Sequence, residues 1–156
     1  MSNQADPLPR PLSGVRVLEL GQGVSAPYGS KLLGDLGADV IKVESSIGDE
    51  ARRRGPFRDE PDPDASGLFL ALNTNKRSYL TDDRSDHLDA LLAQADIIIS
   101  NFDSSRLSDL GIDLEALHQQ RPELVICSVT AFGLSGPYSH YDATELTVTN
   151  AGGWAY

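Results

Sequence analysis

The stretch from Leu18 to Glu44 carries two features of a nucleotide-binding site: a glycine-containing turn near its start and an acidic residue at its end. Its turn, Gly21-Gln22-Gly23-Val24-Ser25-Ala26, matches the pattern G-x-G-x-x-G/A of dinucleotide-binding turns. Glu44 ends the next apolar run, where such proteins carry the acid that binds a ribose. A turn of this kind points backbone N–H groups and the positive end of a helix dipole at the loop mouth. The pattern therefore predicts an anion site, typically for a phosphate, in front of the turn.

The motif alone leaves three interpretations open. It could mark a dinucleotide site that binds NAD, a tight strand-to-helix turn with no ligand, or a site for a different ligand that carries a nucleotide. Pro27 follows the motif at once, and alanine fills its last position. Both features weaken the NAD interpretation without removing it.

The spacing of apolar residues predicts the elements that position these groups. An apolar run at 15–20, a helix with Leu32, Leu33 and Leu36 on one face, and a second run at 39–43 form a β-α-β unit with parallel strands. Further elements are predicted downstream: a short helix at 68–72, a short strand near 79–81, a helix with Leu88, Leu91 and Leu92, buried strands at 96–100 and 124–129, a short helix at 113–117 and a helical pattern from 142.

This alternation predicts an α/β fold with an open, mostly parallel, Rossmann-like sheet flanked by helices. Residues 1–12 are expected to be a loose N-terminal arm, and residues 13–156 one α/β domain. Because ligands of such sheets bind outside the carboxyl ends of the strands, we expect one crevice there. The segments around it are 21–26, 44–46, 101–102 and 130–133.

Composition narrows the class of partner. The 156 residues carry a formal charge of −10, which argues against nucleic acid or an anionic membrane as the main partner. No apolar run approaches the length of about 20 residues that a membrane span needs, and the start of the chain lacks the apolar core of a signal peptide. We therefore expect a cytoplasmic protein. Cys127 lies in an apolar run and is predicted to be buried and inert.

Seven stretches resemble the family III CoA-transferases, the group of formyl-CoA transferase, carnitine-CoA transferase and α-methylacyl-CoA racemase. LGADVIKVE and N-x-N-K-R-S carry most of the specificity, and the order and spacing fit from about residue 11 to the end. The stretches are PLSGVRVLEL at 11–20, APYGSKLLGDLGADVIKVE at 26–44, NTNKRS at 73–78, ADIIISNF at 95–102, LGID at 110–113, RPELVICSVTAFGLSGPY at 121–138 and the glycine pair at 152–153.

The resemblance implies that coenzyme A or an acyl-CoA is bound as substrate, with no metal. The residues it assigns to that contact are Val24, Ser25, Ala26, Thr81, Arg84, Asn101, Phe102 and Arg106. Ser45 and Asp109 depart from the family, because relatives often carry basic residues there. Arg106 is the cation nearest to Asp109 in the sequence, and an arginine at 52–54 could replace the basic residue that is missing at Ser45. Arginine forks suit the phosphate groups of coenzyme A. Two alternatives remain open: Lys76 and Arg77 could form a solvated turn, and Phe102 could belong to the core.

The resemblance also implies acyl exchange between carboxylic acids through an aspartyl-CoA intermediate. The family's nucleophilic aspartate falls beyond the glycine pair and is not in this chain. Glu145 occupies the position of an active-centre acid, although it could simply favour a helix dipole. Thr144 stands where racemases carry a histidine, so racemase chemistry loses support.

The chain is expected to be the N-terminal portion of the family's large domain and inactive alone. It would work as a homodimer or with a complementing C-terminal part. The alternatives are a non-catalytic CoA- or nucleotide-binding module, and an NAD-binding subunit.

Overall fold

The described part of the computed structural model, residues 10–57, 62 and 64–154, contains one parallel sheet of five strands in the order β3-β2-β1-β4-β5. The strands are β1 (Arg16–Leu20), β2 (Asp39–Glu44), β3 (Lys76–Leu80), β4 (Ile97–Ser100) and β5 (Val125–Ser128). The helices are α1 (Ser25–Asp35), α2 (Gly67–Leu72), α3 (Asp86–Gln94), α4 (Ser104–Asp109), α5 (Leu114–Gln120) and α6 (Glu145–Ala151), with a 3₁₀ turn at Glu50–Arg53. The predicted fold class, an open parallel α/β sheet flanked by helices, is confirmed.

Helix starts follow from side chains that accept a hydrogen bond from the first helical turn. The sequence offers Asp82, Asp83 and Ser85 as caps for α3 and Asp113 as a cap for α5. In the structure Ser85 caps α3 and Asp113 caps α5. Asp103 caps α4, a helix of six residues that the sequence analysis missed because it is too short to show a periodic pattern. Most of residues 1–12, the predicted loose arm, lie outside the described residues.

Strand β3 begins earlier than the apolar pattern predicts. It starts at Lys76, and its residues pair in register with β2 from Val40↔Lys76 to Glu44↔Leu80. The segment is largely polar, so hydrophobic alternation could not reveal it. Pairing with β2 supplies the backbone hydrogen bonds that define the strand.

The sheet is packed on both faces. Leu18, Leu20, Val43 and Ile98 pack with helices α3 to α5 on one face, and a smaller cluster of Val17, Ala26, Val40 and Ile99 lies under α1 on the other. This double burial holds the carboxyl ends of β1, β2 and β4 at one edge of the sheet. None of the helices in the described ranges is long and apolar enough to cross a membrane.

Strand β5 is an edge strand of the sheet and contains Cys127. The prediction that Cys127 is buried is wrong. The thiol is exposed, and Val125 on the same face is 57% exposed. These residues pair with Ile99 and Ile97 of β4, so they point to the face of α1. Helix α6, which follows β5 in the chain, buries none of its residues there or elsewhere. The apolar run in the sequence predicted the strand β5, but it could not show that the face of β5 that carries Cys127 would be left without a covering helix.

Replacing Leu92 of α3 by Ala tests the larger core cluster. Leu92 is 2% exposed, so we expect L92A to lower the free energy of unfolding by about 2–4 kcal/mol through a cavity. Urea denaturation followed by circular dichroism measures the change. The exposed Leu70→Ala on α2 is the control, with an expected change within about 0.5 kcal/mol. Equal losses for both variants would contradict the assigned core.

Candidate functional site

A buried charge cluster lies directly under the turn that follows β1. Glu19 of β1 and Lys42 of β2 face each other in the strand register, and both side chains are almost inaccessible to water. The Lys42 ammonium donates to Glu19 Oε1 and to the Gly21 carbonyl, each at 2.7 Å. A buried charge is tolerated only when it is paired and hydrogen-bonded, and Lys42 meets this condition.

Lys76 of β3 extends the cluster. Its ammonium donates to Glu19 Oε2 at 2.7 Å, to the Pro27 carbonyl and to Asn73 Oδ1, while the Ser30 hydroxyl donates to the same Glu19 oxygen at 2.5 Å. Burial lowers the pKa of Lys76, and the nearby Glu19 carboxylate opposes that shift. The solvated-turn interpretation is therefore wrong for Lys76.

Arg77 lies elsewhere. Its exposed guanidinium pairs with Asp39 at the amino-terminal end of β2, away from the cluster.

Asp49, from the loop after β2, connects this cluster to the turn. Its Oδ1 accepts hydrogen bonds from the backbone N–H of Gly23 at 2.8 Å and of Ala51 at 2.7 Å. Its Oδ2 lies 2.7 Å from the Lys42 ammonium, an ion pair without hydrogen-bond alignment. Gly23 has a positive φ of 73°, which glycine adopts without strain.

Asn101, at the end of β4, holds the turn from the other side. Its Oδ1 accepts the Gln22 N–H at 2.9 Å, and its Nδ2 donates to the Gln22 carbonyl and to the Ser25 hydroxyl. The N–H groups of Gln22 and Gly23 are thus bound to protein oxygens. These two N–H groups are not free for an anion, because the side chains of Asn101 and Asp49 occupy the acceptor positions that a phosphate would need. The anion site at the start of α1 stays a prediction.

Glu44 is also already paired. Both carboxylate oxygens bind Arg52, at 2.9 and 3.1 Å, and Ser78 donates to one of them. Burial raises the pKa of Glu44, but the hydrogen bonds from Arg52 and Ser78 outweigh it, so the pKa lies below its ordinary value of 4.5. Glu44 is therefore not the free ribose-binding acid that the spacing suggested.

Two adjoining cavities open at this edge of the sheet and share Asn101 and Asp103. The first, of about 380 Å³, lies between the ends of β1, β2 and β4; the second, of about 320 Å³, lies between Ser25 and the loop at 129–143. The predicted single crevice is thus divided. The first cavity is lined by Gly21, Gln22, Val43, Glu44, Ser45, Ile47, Gly48, Asp49, Asp82, Asn101, Phe102, Asp103 and Arg106.

Arg106 is the one cation among the described residues that line the first cavity. Its guanidinium carbon lies 5.8 Å from the centre of the Phe102 ring, so a charged group and a flat apolar face adjoin each other. Two of the acids in this wall form ion pairs with residues that do not line the cavity: Glu44 with Arg52 and Asp49 with Lys42. Arg106 is therefore the charged group in this wall that suits a phosphate.

The structure brings together some of the sequence-predicted site residues. Asn101, Phe102 and Arg106 line the first cavity, and Ser25 and Asn101 line the second. Phe102 also packs partly against the core, so both interpretations of that ring apply.

The other predicted residues do not line either cavity. Val24 is half exposed, Ala26 is buried in the core, and Thr81 bonds within its own loop to Asp83. Arg84 binds the Gly111 carbonyl and Asp89. Glu145 is exposed at the start of α6, two residues after the wall of the second cavity.

The arginines at 52–54 do not supply a replacement charge. Arg52 binds Glu44 and Asp64, Arg53 donates to the Ile47 carbonyl, and Arg54 pairs with Glu50. None of the three lines the first cavity.

The sequence analysis missed Asp49 and the pairing of Glu19 with Lys42. A signal was present, because each strand carries a charged residue between apolar neighbours: Glu19 in VLEL and Lys42 in VIKV. Opposite charges at inward positions of neighbouring strands indicate a buried ion pair. Choosing the partners still required the strand register.

Comparison with known proteins assigns the family. The family model "CoA-transferase family III" matches residues 12–156. A succinate–glutarate CoA-transferase of Agrobacterium fabrum is 37% identical over 92% of this chain and 38% of the relative, and a formyl-CoA:oxalate CoA-transferase of Streptomyces avermitilis is 35% identical over 91% of the chain and 35% of the relative. A crystal structure of a CAIB/BAIF family protein from Brucella suis superposes with a TM-score of 0.78 at 37% identity, covering 92% of this chain and 39% of that one.

This chain belongs to CoA-transferase family III, as the sequence motifs predict. It spans well under half the length of the relatives just named.

Replacing Glu44 by Gln tests the ion pair at the cavity wall. We expect E44Q to lower the free energy of unfolding by about 2 kcal/mol at neutral pH, because Arg52 loses its charged partner. Since the folded-state pKa of Glu44 lies below its ordinary 4.5, the wild-type advantage is present above that pH and is lost as pH falls through the folded-state pKa. Urea denaturation at neutral pH and at about pH 3 measures the difference, which should shrink in acid.

The exposed Glu115→Gln in α5 serves as the control for the loss of a carboxylate. It should change stability by less than about 0.5 kcal/mol at either pH. If the difference in free energy of unfolding between E44Q and wild type is the same at both pH values, Glu44 is not ionised as assigned.

Proposed function

We propose that this chain is the N-terminal, CoA-binding portion of an acyl-CoA:carboxylate CoA-transferase. The observation that carries the proposal is the family match over residues 12–156, together with Asn101, which lines both cavities, and Phe102, which lines the first. Asn101 thus lies where a long ligand could pass from one cavity to the other.

The first cavity suits the nucleotide end of coenzyme A. Arg106 offers charge-assisted hydrogen bonds to a phosphate, and Phe102 beside it offers an apolar face to the adenine or the pantetheine arm. The exposed side chain of Ile47 adds apolar surface at the rim. The second cavity, next to Ser25, would then take the thioester end, close to where α6 and Glu145 begin.

The same geometry disfavours the NAD alternative. A dinucleotide would place its pyrophosphate at the turn after β1, where Gln22 and Gly23 already donate to Asn101 and Asp49. Its ribose would need Glu44, which is bound to Arg52. Binding of a phosphate there would require breaking buried pairs, which is unfavourable.

The chemistry we propose is covalent exchange at a carboxylate outside these residues. An aspartate would attack the acyl-CoA carbonyl and release the CoA thiolate, giving a mixed anhydride. The thiolate would return to form an aspartyl-CoA thioester and free the first acid, and the second carboxylate would then take the CoA by the reverse steps. In this scheme residues 13–156 hold coenzyme A while the acids exchange, and Glu145 assists at the active centre. The domain division, the cytoplasmic location and the homodimer or complementing C-terminal part belong to the same proposal.

Arg106→Gln tests the CoA site. We expect titration calorimetry to show that R106Q binds CoA about tenfold more weakly, a loss of about 1.4 kcal/mol, because a phosphate loses its charged donor. Arg77→Gln is the matched control, since it removes the same charge at the opposite edge of the sheet and should leave affinity nearly unchanged. NAD should bind more weakly than CoA. Tighter binding of NAD than CoA, or equal losses in both variants, would overturn the site assignment.

An activity assay separates a CoA-binding portion from a self-sufficient enzyme. The 156-residue chain alone should bind CoA yet show no transfer of CoA between carboxylic acids. The assay would supply succinyl-CoA with glutarate, and formyl-CoA with oxalate, the pairs named for its relatives. Turnover by the isolated chain would show that the reacting carboxylate is among these residues.

A further inference from the structure

We propose that Lys42 is a positioning residue for the coenzyme A cavity: its buried ammonium fixes the turn after β1 and thereby the shape of the cavity wall. The inference deepens the proposed function and rests on it for the identity of the ligand. Lys42 itself does not line the first cavity, so it would act through the groups that it holds.

The ammonium contacts the end of β1, the turn that follows it and the loop after β2. Its nitrogen lies 2.7 Å from Glu19 Oε1 in β1, from the Gly21 carbonyl in the turn, and from Asp49 Oδ2 in the loop after β2. Gly21 and Asp49 both line the first cavity. A single buried cation therefore contacts two segments that form its wall.

The turn has no spare room, so its position affects both cavities. A Cβ atom at Gly21 would lie 2.5 Å from the Ala26 Cβ and 2.7 Å from Asn101 Oδ1. A shift of Gly21 towards Asn101 would therefore displace it, and Asn101 is one of the two residues that the cavities share. Closely packed groups transmit small displacements in this way.

A purely stabilising role would not need this arrangement. Buried ion pairs are often replaceable by apolar side chains of similar volume without loss of stability. An apolar pair at positions 19 and 42 could fill the interior, but it could not bind the Gly21 carbonyl or the Asp49 carboxylate. The contacts of Lys42 with the Gly21 carbonyl and with Asp49 thus point to control of the turn.

The charge balance of the cluster provides a sharp test. Glu19, Glu44 and Asp49 are balanced by Lys42, Lys76 and Arg52. Lys42→Met alone would leave an unpaired buried carboxylate and could unfold the protein. In the double variant K42M/D49N the charge is balanced again, and residue 49 keeps an oxygen for the N–H groups of Gly23 and Ala51. The Gly21 carbonyl, however, loses its donor.

The experiment compares wild type, K42M/D49N and L92A in the complete gene product that contains these residues. Circular dichroism and urea denaturation establish folding and stability, calorimetry gives the CoA affinity, and hydrogen exchange reports the amides of Gln22 and Gly23. We expect K42M/D49N to bind CoA at least tenfold more weakly and to exchange these amides faster. L92A, which loses stability far from the cavity, should stay within twofold of wild type in affinity.

The outcomes separate this inference from the proposed function. CoA affinity in K42M/D49N within twofold of wild type overturns the positioning role. If wild type binds no CoA but the turn amides of K42M/D49N exchange faster, the positioning role stands and the proposed function fails. If K42M/D49N does not fold, Lys42→Arg keeps the charge but cannot place one nitrogen on three oxygens, and an unchanged CoA affinity in K42R overturns the inference.

Discussion

The structure depends on the pairing of charged side chains that are buried in a sheet packed on both faces. Glu19, Lys42 and Lys76 lie on neighbouring strands, on the face covered by α1 and α2, where water does not reach the first two. They are stabilised by one another, by the Ser30 hydroxyl, and by oxygens of the turn, of Pro27, of Asn73 and of Asp49. The cluster thereby couples the sheet to the loops at its carboxyl edge. A sheet packed with apolar residues alone would leave those loops less constrained.

That coupling also decides what the turn after β1 can do. In dinucleotide-binding folds the free N–H groups of such a turn receive a phosphate. Here Asp49 and Asn101 bind two of them, and Gly21 and Gln22 of the turn line the first cavity. Recognition of an anionic ligand shifts to Arg106 and Phe102 at the start of α4. A fold shared with dinucleotide-binding proteins can thus serve a different ligand through a change in which groups are already paired.

The end of the chain contrasts with this closed region. Val125 on β5, Leu146 on α6 and Trp154 are largely exposed, with Trp154 at 87%. Because the relatives are much longer than this chain, the homodimer and the complementing C-terminal part are the partners that we propose for it.

The sequence by itself determined the alternation of strands and helices, the parallel sheet, the caps at Ser85 and Asp113, and membership of the family. These follow from local periodicity and from motifs that are contiguous in the chain. Only the tertiary structure decided that Glu44 binds Arg52, that Asp49 occupies the turn, that Lys76 is buried and that Cys127 is exposed. The physical reason is that a charged or apolar residue acquires its role from the groups opposite it. Strand register and the placement of loops choose those groups from residues far apart in the sequence.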